Sequence, residues 1–257
     1  MKILICSILR DNEPNMERFF GQINSFVDRL GTQHEFSISL YENDSVDATP
    51  QILRNADLSR FSRSSVVCAR KNRPKFGSVV DEERIQNLAI ARNNAMTAEN
   101  MHMDVDYIMF IDSDVIYDAD YVPTLLDWKT VGLTDPDIYS GVIVTERKPH
   151  EQHILPAYQV GDRVYRVYDT WCMRRDAFEE WGTWKPDALK QPVSRFYATY
   201  NGVCLFKAKP IKDGLRFHHH NKRLGKFDLE IAVLAEKFHE AGYHDIYINQ
   251  FLWCYHQ

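Results

Sequence analysis

Apolar and polar residues alternate between strand-like and helix-like patterns over the first 111 residues. The run Ile3–Leu9 is almost continuously apolar, which is typical of a strand covered on both faces. Further strands are predicted at Phe36–Tyr41, Ser65–Ala69 and Tyr107–Ile111. Helical spacing of apolar residues separates them at 19–30 and 85–96, and Thr49-Pro50 indicates a helix start between the second and third strands. This β-α order predicts a mostly parallel sheet flanked by helices, in the α/β class.

The second half of the sequence is less regular. Strands are predicted at Ile138–Val144, in a hairpin over Gln159–Tyr168, at Asn201–Phe206 and at Ile246–Ile248. A helix is predicted over Asp228–Ala241, with Gly242 after its end. No linker or repeat interrupts the chain, so we expect one domain over 1–257. Its nucleotide-binding half would be 1–120, and a mixed, acceptor-side half would be 121–257.

Composition excludes several classes of protein. The chain has 257 residues, of which 44% are hydrophobic and 12% aromatic, with only 11 Gly and 10 Pro, so disorder is not its main state. No apolar run of about 18 residues occurs, and the N-terminus lacks the features of a signal peptide. The five cysteines are scattered without a C-x-x-C pair, as in a reduced protein. We therefore expect a cytoplasmic protein without a membrane anchor.

Charge is distributed unevenly along the chain, although the net charge is only −5. The segments 54–75 and 207–226 each contain seven basic residues against one Asp, whereas 104–120 contains six Asp and no Lys or Arg. This asymmetry favours an anionic ligand at basic loops and a cation at a carboxylate cluster. Solvated, functionless loops explain each run equally well.

The most informative local pattern is Asp112-Ser113-Asp114, directly after the apolar strand Tyr107–Ile111. Two carboxylates in this position are able to share one hard cation, and Mg²⁺ or Mn²⁺ prefers oxygen ligands. Such an ion would bridge the two phosphates of a nucleotide-sugar and neutralise the leaving diphosphate. The D-x-D pattern alone is also common at solvated turns.

A second enzyme class also places D-x-D after a strand. In the haloacid-dehalogenase phosphatases the first Asp, here Asp112, is a nucleophile. Those enzymes carry the motif near the start of the domain, and they need a later acidic pair that is not evident here. The phosphatase is therefore the weaker of the two enzyme hypotheses.

Four stretches together resemble the GT-A glycosyltransferases of the fungal capsule-associated α-1,3-mannosyltransferase family. The first is Ser39–Thr49, similar to the family's Y-E-S-S-D-T stretch, and the second is the helix Arg84–Ala95, similar to its R-x-x-x-L-A-x-x-R-N-x-A pattern. The third is the strand that ends in Asp112-Ser113-Asp114. The fourth runs through Tyr168–Trp171, Asn201-Gly202 and Glu230. The resemblance implies a GT-A-type, Rossmann-like fold and a nucleotide-sugar donor.

The resemblance also implies roles for individual residues. The donor-binding residues carried over are Arg10, Glu42, Asp44, Arg84, Asp112, Trp171 and Asn201. Among these, Arg10 and Glu42 would line the nucleoside pocket, Arg84 would meet the nucleotide or the acidic motif, and Trp171 would stack on a sugar. Arg92, which lies among core positions of the same helix as Arg84, is expected to be a structural ion-pair partner.

Metal binding and catalysis are assigned by the same resemblance. Asp114 and Asp112 would hold Mn²⁺ or Mg²⁺, with His256 near the C-terminus as a third ligand and His218–His220 as a rival source. Glu230 would face the acceptor hydroxyl, as general base in an inverting enzyme or as an orienting group in a retaining one. Glu230, Asp112 and Asp114 are thus the predicted catalytic residues. For Glu230, the structural alternative is charge stabilisation of a helix N-terminus.

The expected activity is metal-dependent transfer of a hexose or pentose from a nucleotide-diphosphate-sugar to a hydroxyl. A glycan acceptor follows from the resemblance. The two basic runs keep open a second acceptor, hydroxylated bases of DNA as in bacteriophage systems. A sugar- or nucleotide-binding module without catalysis is the non-enzymatic alternative, and the intact D-x-D and Glu230 argue against it.

Overall fold

The computed structural model describes residues 1–146, 157–160, 162–168, 170–180 and 191–256. The first half alternates strands and helices as its sequence pattern predicts. Its elements are β1 (Lys2–Leu9), α1 (Met16–Leu30), β2 (Glu35–Asn43), α2 (Thr49–Arg54), β3 (Ser64–Ala69), α3 (Glu82–Thr97) and β4 (Tyr107–Ile111). The strands β3, β2, β1 and β4 are adjacent in that order and parallel.

The second half extends this sheet with mixed strand directions. Its elements are β5 (Val115–Tyr117), β6 (Ile138–Glu146), β7 (Ala157–Val160), β8 (Arg163–Val167), β9 (Val193–Arg195), β10 (Val203–Lys207), α4 (Ala208–Lys212), β11 (His220–Asn221), β12 (Lys226–Phe227), α5 (Glu230–Glu240) and β13 (Ile246–His256). The sheet continues from β4 through β10, β6 and β13 to β5, and β10 runs antiparallel to both of its neighbours. The predicted α/β class with a mixed C-terminal half is confirmed.

Two apolar layers cover the central sheet, one on each face. Along β1, Ile3 and Ile5 join the layer that contains Phe19 and Phe26 of α1. Leu4 instead joins the layer with residues of α3 and α5. Because successive strand side chains point to opposite faces, one unbroken apolar run supplies both layers.

Some predicted boundaries differ from the structure. The last strand is β13, which extends to His256 instead of ending at Ile248, and its pairing with β6 shifts register between Ile248 and Trp253. Apolar spacing did not indicate this strand because the polar residues Asn249 and Gln250 interrupt the run. At α2, Ala48 is the capping residue, and the Thr49 side chain accepts a hydrogen bond from the amide of Asn12 instead.

Candidate functional site

A cleft of about 640 Å³ lies at the carboxyl ends of β1, β2 and β4. Ligands of open α/β sheets bind at this edge because the strands end there in loops. Residues from both halves of the sequence line the cleft. In the described part of the chain, its charged lining consists of Arg10, Arg73, Lys75, Arg84, Arg92, Asp112, Asp114, Arg166 and Glu230. Six of these are basic and three acidic, so the cleft favours an anionic ligand.

The acidic motif forms one wall of the cleft. Asp112 follows β4 directly, and its amide donates to the carbonyl of Gly202 at 2.8 Å. Asp114 is solvent-exposed, and the next residue begins β5. The guanidinium of Arg18 donates to the carbonyl of Ser113 at 3.3 Å. The motif is therefore held through its backbone, while both carboxylates line the cleft.

Gly202 has a conformation and a position that a larger residue would disturb. Its φ of +70° lies in the left-handed region, and an added Cβ would come within 3.1 Å of Cys254 and Ile143. The preceding Asn201 is fully buried, also at positive φ, and its side-chain oxygen accepts from the Cys172 thiol. The Asn201-Gly202 turn thus supports the backbone of the acidic motif.

Three arginines form a second, basic wall. Arg10 donates to the carbonyls of Pro74 and Arg73 at 2.8 and 2.9 Å, and Arg73 donates to the side-chain oxygen of Asn87. Arg84 lies in the first turn of α3 and lines the cleft. Among the described residues, no carboxylate lies within ion-pair distance of these three guanidinium groups. Their charge is therefore available to an anionic ligand.

Asp44 holds the loop that carries Arg73. Its carboxylate accepts from the amides of Lys71, Asn72 and Arg73 at 2.7 to 3.1 Å. Burial by itself raises the pKa of Asp44. The hydrogen bonds from Asn43 and these amides lower it by more than burial raises it, so the pKa falls to about 2. Asp44 is consequently ionised at neutral pH and organises the basic loop.

Three of the predicted donor-binding residues make other contacts in the structure. Glu42 is 2% exposed and accepts from the amide of Ser45, Asp44 organises the loop, and Asn201 supports the acidic motif. None of the three lines the cleft. The Glu42 and Asp44 side chains accept hydrogen bonds from backbone amides near the strand ends. The position of a residue after a strand does not show whether its side chain contacts the backbone or a ligand.

Glu230 lies opposite the acidic motif, at the first position of α5, and is 2% exposed. Its carboxylate accepts from Nε of Arg92 at 3.0 Å. Nη1 of Arg92 also lies 3.7 Å from Asp112. The expected ion pairing of Arg92 is confirmed, and its partners are two of the predicted catalytic carboxylates.

A second buried ion pair positions the start of α5. Arg174 donates to both carboxylate oxygens of Asp228, at 2.7 and 3.2 Å, and Asn221 donates to the same carboxylate at 3.1 Å. Asp228 is 1% exposed. Glu230 follows two residues later, so its place in the cleft depends on this cluster.

The aromatic and histidine predictions have different outcomes. Trp171 is half-buried and lines the cleft, as does Tyr168. Asp169, Trp181 and Trp184 lie outside the described residues, as does the side chain of His256. The His256 backbone pairs with Val115, next to Asp114. His218–His220 do not line the cleft, and His219 lies 3.8 Å from Glu82.

The residues in the cleft offer a partial fit to a divalent cation. Asp112 and Asp114 supply the carboxylate oxygens that Mg²⁺ and Mn²⁺ prefer. Within the described ranges, no group of three His, Cys, Asp or Glu side chains is placed to hold a metal ion. A cation here would take its other ligands from water or from a bound diphosphate, as Mg²⁺ commonly does.

Sequence reasoning missed three charged residues of the cleft, Arg73, Lys75 and Arg166. Arg73 was counted in the basic run 54–75, but its place beside Arg10 depends on the fold of the loop. Arg166 lies on β8, whose hairpin was predicted without any role in the site. Composition therefore indicated the basic surface without showing which of its residues face the cleft.

The family model described as cryptococcal mannosyltransferase 1 matches residues 2–232. The chain belongs to this family. Its members are glycosyltransferases, which decides against the phosphatase hypothesis. No curated protein sequence matches the chain. No helix in the described part of the chain is long and apolar enough to cross a membrane.

Solved structures of GT-A glycosyltransferases share the fold of this family member at low sequence identity. S. aureus TarS is 13% identical with a TM-score of 0.52, and the match covers 98% of this chain and 60% of that one. GalNAc-T7, solved with UDP, GalNAc and Mn²⁺, is 8% identical with a TM-score of 0.53, covering 100% and 43%. Mannosyltransferase PcManGT from Pyrobaculum calidifontis, in complex with GDP-Man and Mn²⁺, is 13% identical with a TM-score of 0.50, covering 99% and 56%. The chain thus spans about half the length of these proteins.

Proposed function

We propose that this chain transfers a sugar from a nucleotide-diphosphate-sugar to a hydroxyl of a glycan, with Mn²⁺ or Mg²⁺ bound at Asp112 and Asp114. The observation that carries the proposal is that one cleft is lined by the acidic motif and by Arg10, Arg73 and Arg84, which have no carboxylate partner among the described residues. A nucleotide-sugar presents two linked phosphates, so it needs positive charge on more than one side. The complexes of GalNAc-T7 and PcManGT with nucleotides and Mn²⁺ agree with this donor class.

Each wall of the cleft has a task in this reaction. The bond between the sugar and the diphosphate breaks, and a bond from the sugar to the acceptor oxygen forms. The acceptor hydroxyl gives its proton to Glu230 or to the departing diphosphate. Negative charge grows on the diphosphate as its bond to the sugar breaks. Arg10, Arg73 and Arg84 would stabilise that charge with guanidinium groups already in place. A bound divalent cation would supply Lewis-acid stabilisation of the same group. Trp171 would offer an apolar face to the sugar.

The first test of this function is nucleotide binding. UDP or GDP is expected to bind at least about tenfold more tightly with Mn²⁺ than with EDTA, because a cation held by Asp112 and Asp114 would also attract the diphosphate. Isothermal titration calorimetry measures both affinities, and a screen of nucleotide-sugars for Mn²⁺-dependent hydrolysis then identifies the donor. Equal affinity in the two buffers would contradict the metal bridge.

Variants of two arginines locate the diphosphate in this experiment. Arg84→Gln should weaken nucleotide binding about tenfold, since a charged hydrogen bond is lost. Arg60→Gln is the matched control, because Arg60 pairs with Asp28 outside the cleft. If both variants bind nucleotide as the unchanged protein does, Arg84 does not contact the phosphates.

A glycan acceptor is favoured over DNA by the ion pairs of the second basic run. Lys207 pairs with Asp135 and Asp137, and Lys209 pairs with Asp213. The other pairs of this run are Arg223 with Glu236 and Lys226 with Glu180. Side chains already neutralised in this way contribute less to binding a polyanion.

Gel-shift experiments separate the two acceptors. We expect no binding of unmodified or hydroxymethylated duplex DNA at low salt, because four of the seven basic residues of the second run pair with carboxylates. The triple charge reversal Arg70→Glu, Lys71→Glu and Arg73→Glu is the informative variant. A shifted band that this variant abolishes and that weakens steeply with salt would establish DNA as the acceptor instead.

A further inference from the structure

Arg92 lies between two carboxylates of the cleft, those of Asp112 and Glu230. It projects from α3 and is 7% exposed. Its Nε donates to Glu230 at 3.0 Å, while Nη1 lies 3.7 Å from Asp112 and donates to the hydroxyl of Tyr200. One guanidinium therefore links a carboxylate from each half of the sequence.

Aromatic rings fix the plane of this guanidinium. Its central carbon lies 4.3 Å from the ring centroid of Tyr200 and 5.4 Å from that of Phe110. Burial lowers the pKa of Arg92, but Tyr200, Asp112 and Glu230 raise it more, and the net shift is upward. The charge of Arg92 is consequently permanent, and its position is set by packing as well as by hydrogen bonds.

We propose that Arg92 is a positioning residue for glycosyl transfer, which holds Glu230 in its working orientation. This proposal rests on the proposed function. A buried Arg and Glu pair is not needed for stability alone, since apolar residues of similar volume often replace such pairs without loss. Arg92 and Glu230 both line the cleft, so this pair lies at the proposed site of reaction. Turnover depends steeply on such placement, because a displacement of about 1 Å costs roughly 10²-fold.

A double-mutant cycle between Arg92 and Glu230 tests the proposal. Arg92→Met keeps much of the side-chain volume and removes the charge. The variants are Arg92→Met, Glu230→Gln and Arg92→Met/Glu230→Gln. The double variant leaves no uncompensated charge at the pair, so it remains informative if Arg92→Met alone fails to fold. Kinetics of Mn²⁺-dependent donor hydrolysis and the affinity for UDP or GDP are measured for each.

Arg92→Met is expected to lower kcat by about 10²-fold while changing donor KM less than about threefold. The double variant should have nearly the kcat of Glu230→Gln, because Arg92 acts through Glu230. Arg92→Lys should recover part of the lost kcat. If the two effects add instead, or if Arg92→Met has unchanged kcat, the proposal is overturned.

Two further variants complete the design. Arg223→Met is the matched control, because Arg223 donates from Nε to Glu236 at 2.9 Å and lies 5.6 Å from the Tyr197 ring, outside the cleft. Its kcat should stay within about twofold of the unchanged protein. Tyr200→Phe retains the ring but loses the hydroxyl contact, and should lower kcat about tenfold.

An unchanged protein that neither binds nucleotide nor hydrolyses any donor would overturn the proposed function itself and this inference with it. Additive effects in an active protein would overturn the positioning role alone.

Discussion

Asp114→Asn is expected to reduce turnover of the nucleotide-sugar by roughly 10³-fold without changing the fold. The substitution keeps the shape of the side chain and removes the charge that would bind the cation. Asp114 is exposed, and the apolar layers of the sheet do not include it. The measurements are donor hydrolysis with Mn²⁺ and the thermal midpoint by circular dichroism.

The control for this prediction is Asp120→Asn. Asp120 is also an exposed carboxylate near the motif, but it pairs with Arg29 and does not line the cleft. Its turnover should match that of the unchanged protein. Activity of Asp114→Asn at the same level as the control would remove Asp114 from the metal site. Loss of the thermal transition would instead assign it a structural role.

Arg174→Met is expected to lower the free energy of unfolding by about 3–5 kcal/mol, because it leaves the buried carboxylate of Asp228 without its charged partner. Arg174 and Asp228 are 3% and 1% exposed. Urea unfolding followed by circular dichroism measures the change. The Arg174→Met protein that remains folded should also turn over the donor more slowly, because the Arg174–Asp228 pair holds the N-terminus of α5, where Glu230 lies.

An exposed pair in the same half supplies the control for Arg174→Met. Arg195 and Asp245 lie 3.3 Å apart with side chains 61% and 51% exposed, so Arg195→Met should change the free energy of unfolding by less than about 1 kcal/mol. Similar small losses for both arginines would mean that the Arg174 pair contributes little. The comparison separates burial from charge pairing as the source of the effect.

The basic loop shows why function could be inferred more readily than residue roles. The run 54–75 indicated an anionic ligand, since charge is visible in composition. The fold of the loop decides which basic residues of this run face the cleft. The Asp44 carboxylate fixes that fold by accepting hydrogen bonds from three successive loop amides. A residue that binds backbone and a residue that binds ligand look alike when both are carboxylates after a strand.

The sequence by itself determined the strand and helix order of the first half, and with it the edge at which polar residues collect. Local periodicity carries this information, because a strand buried on both faces must be apolar almost throughout. The acidic motif was visible in the sequence, and the resemblance to the mannosyltransferase family implied roles for Arg84, Trp171 and Glu230. All of these residues line the cleft. Only the tertiary structure decided that Glu42 and Asn201 are buried supports, and that Arg92 in α3 meets Glu230 across 138 positions of sequence. Such contacts depend on how the two halves of the sequence pack against one sheet. Contacts between residues far apart in sequence produce no periodic pattern of apolar residues, so periodicity does not predict them.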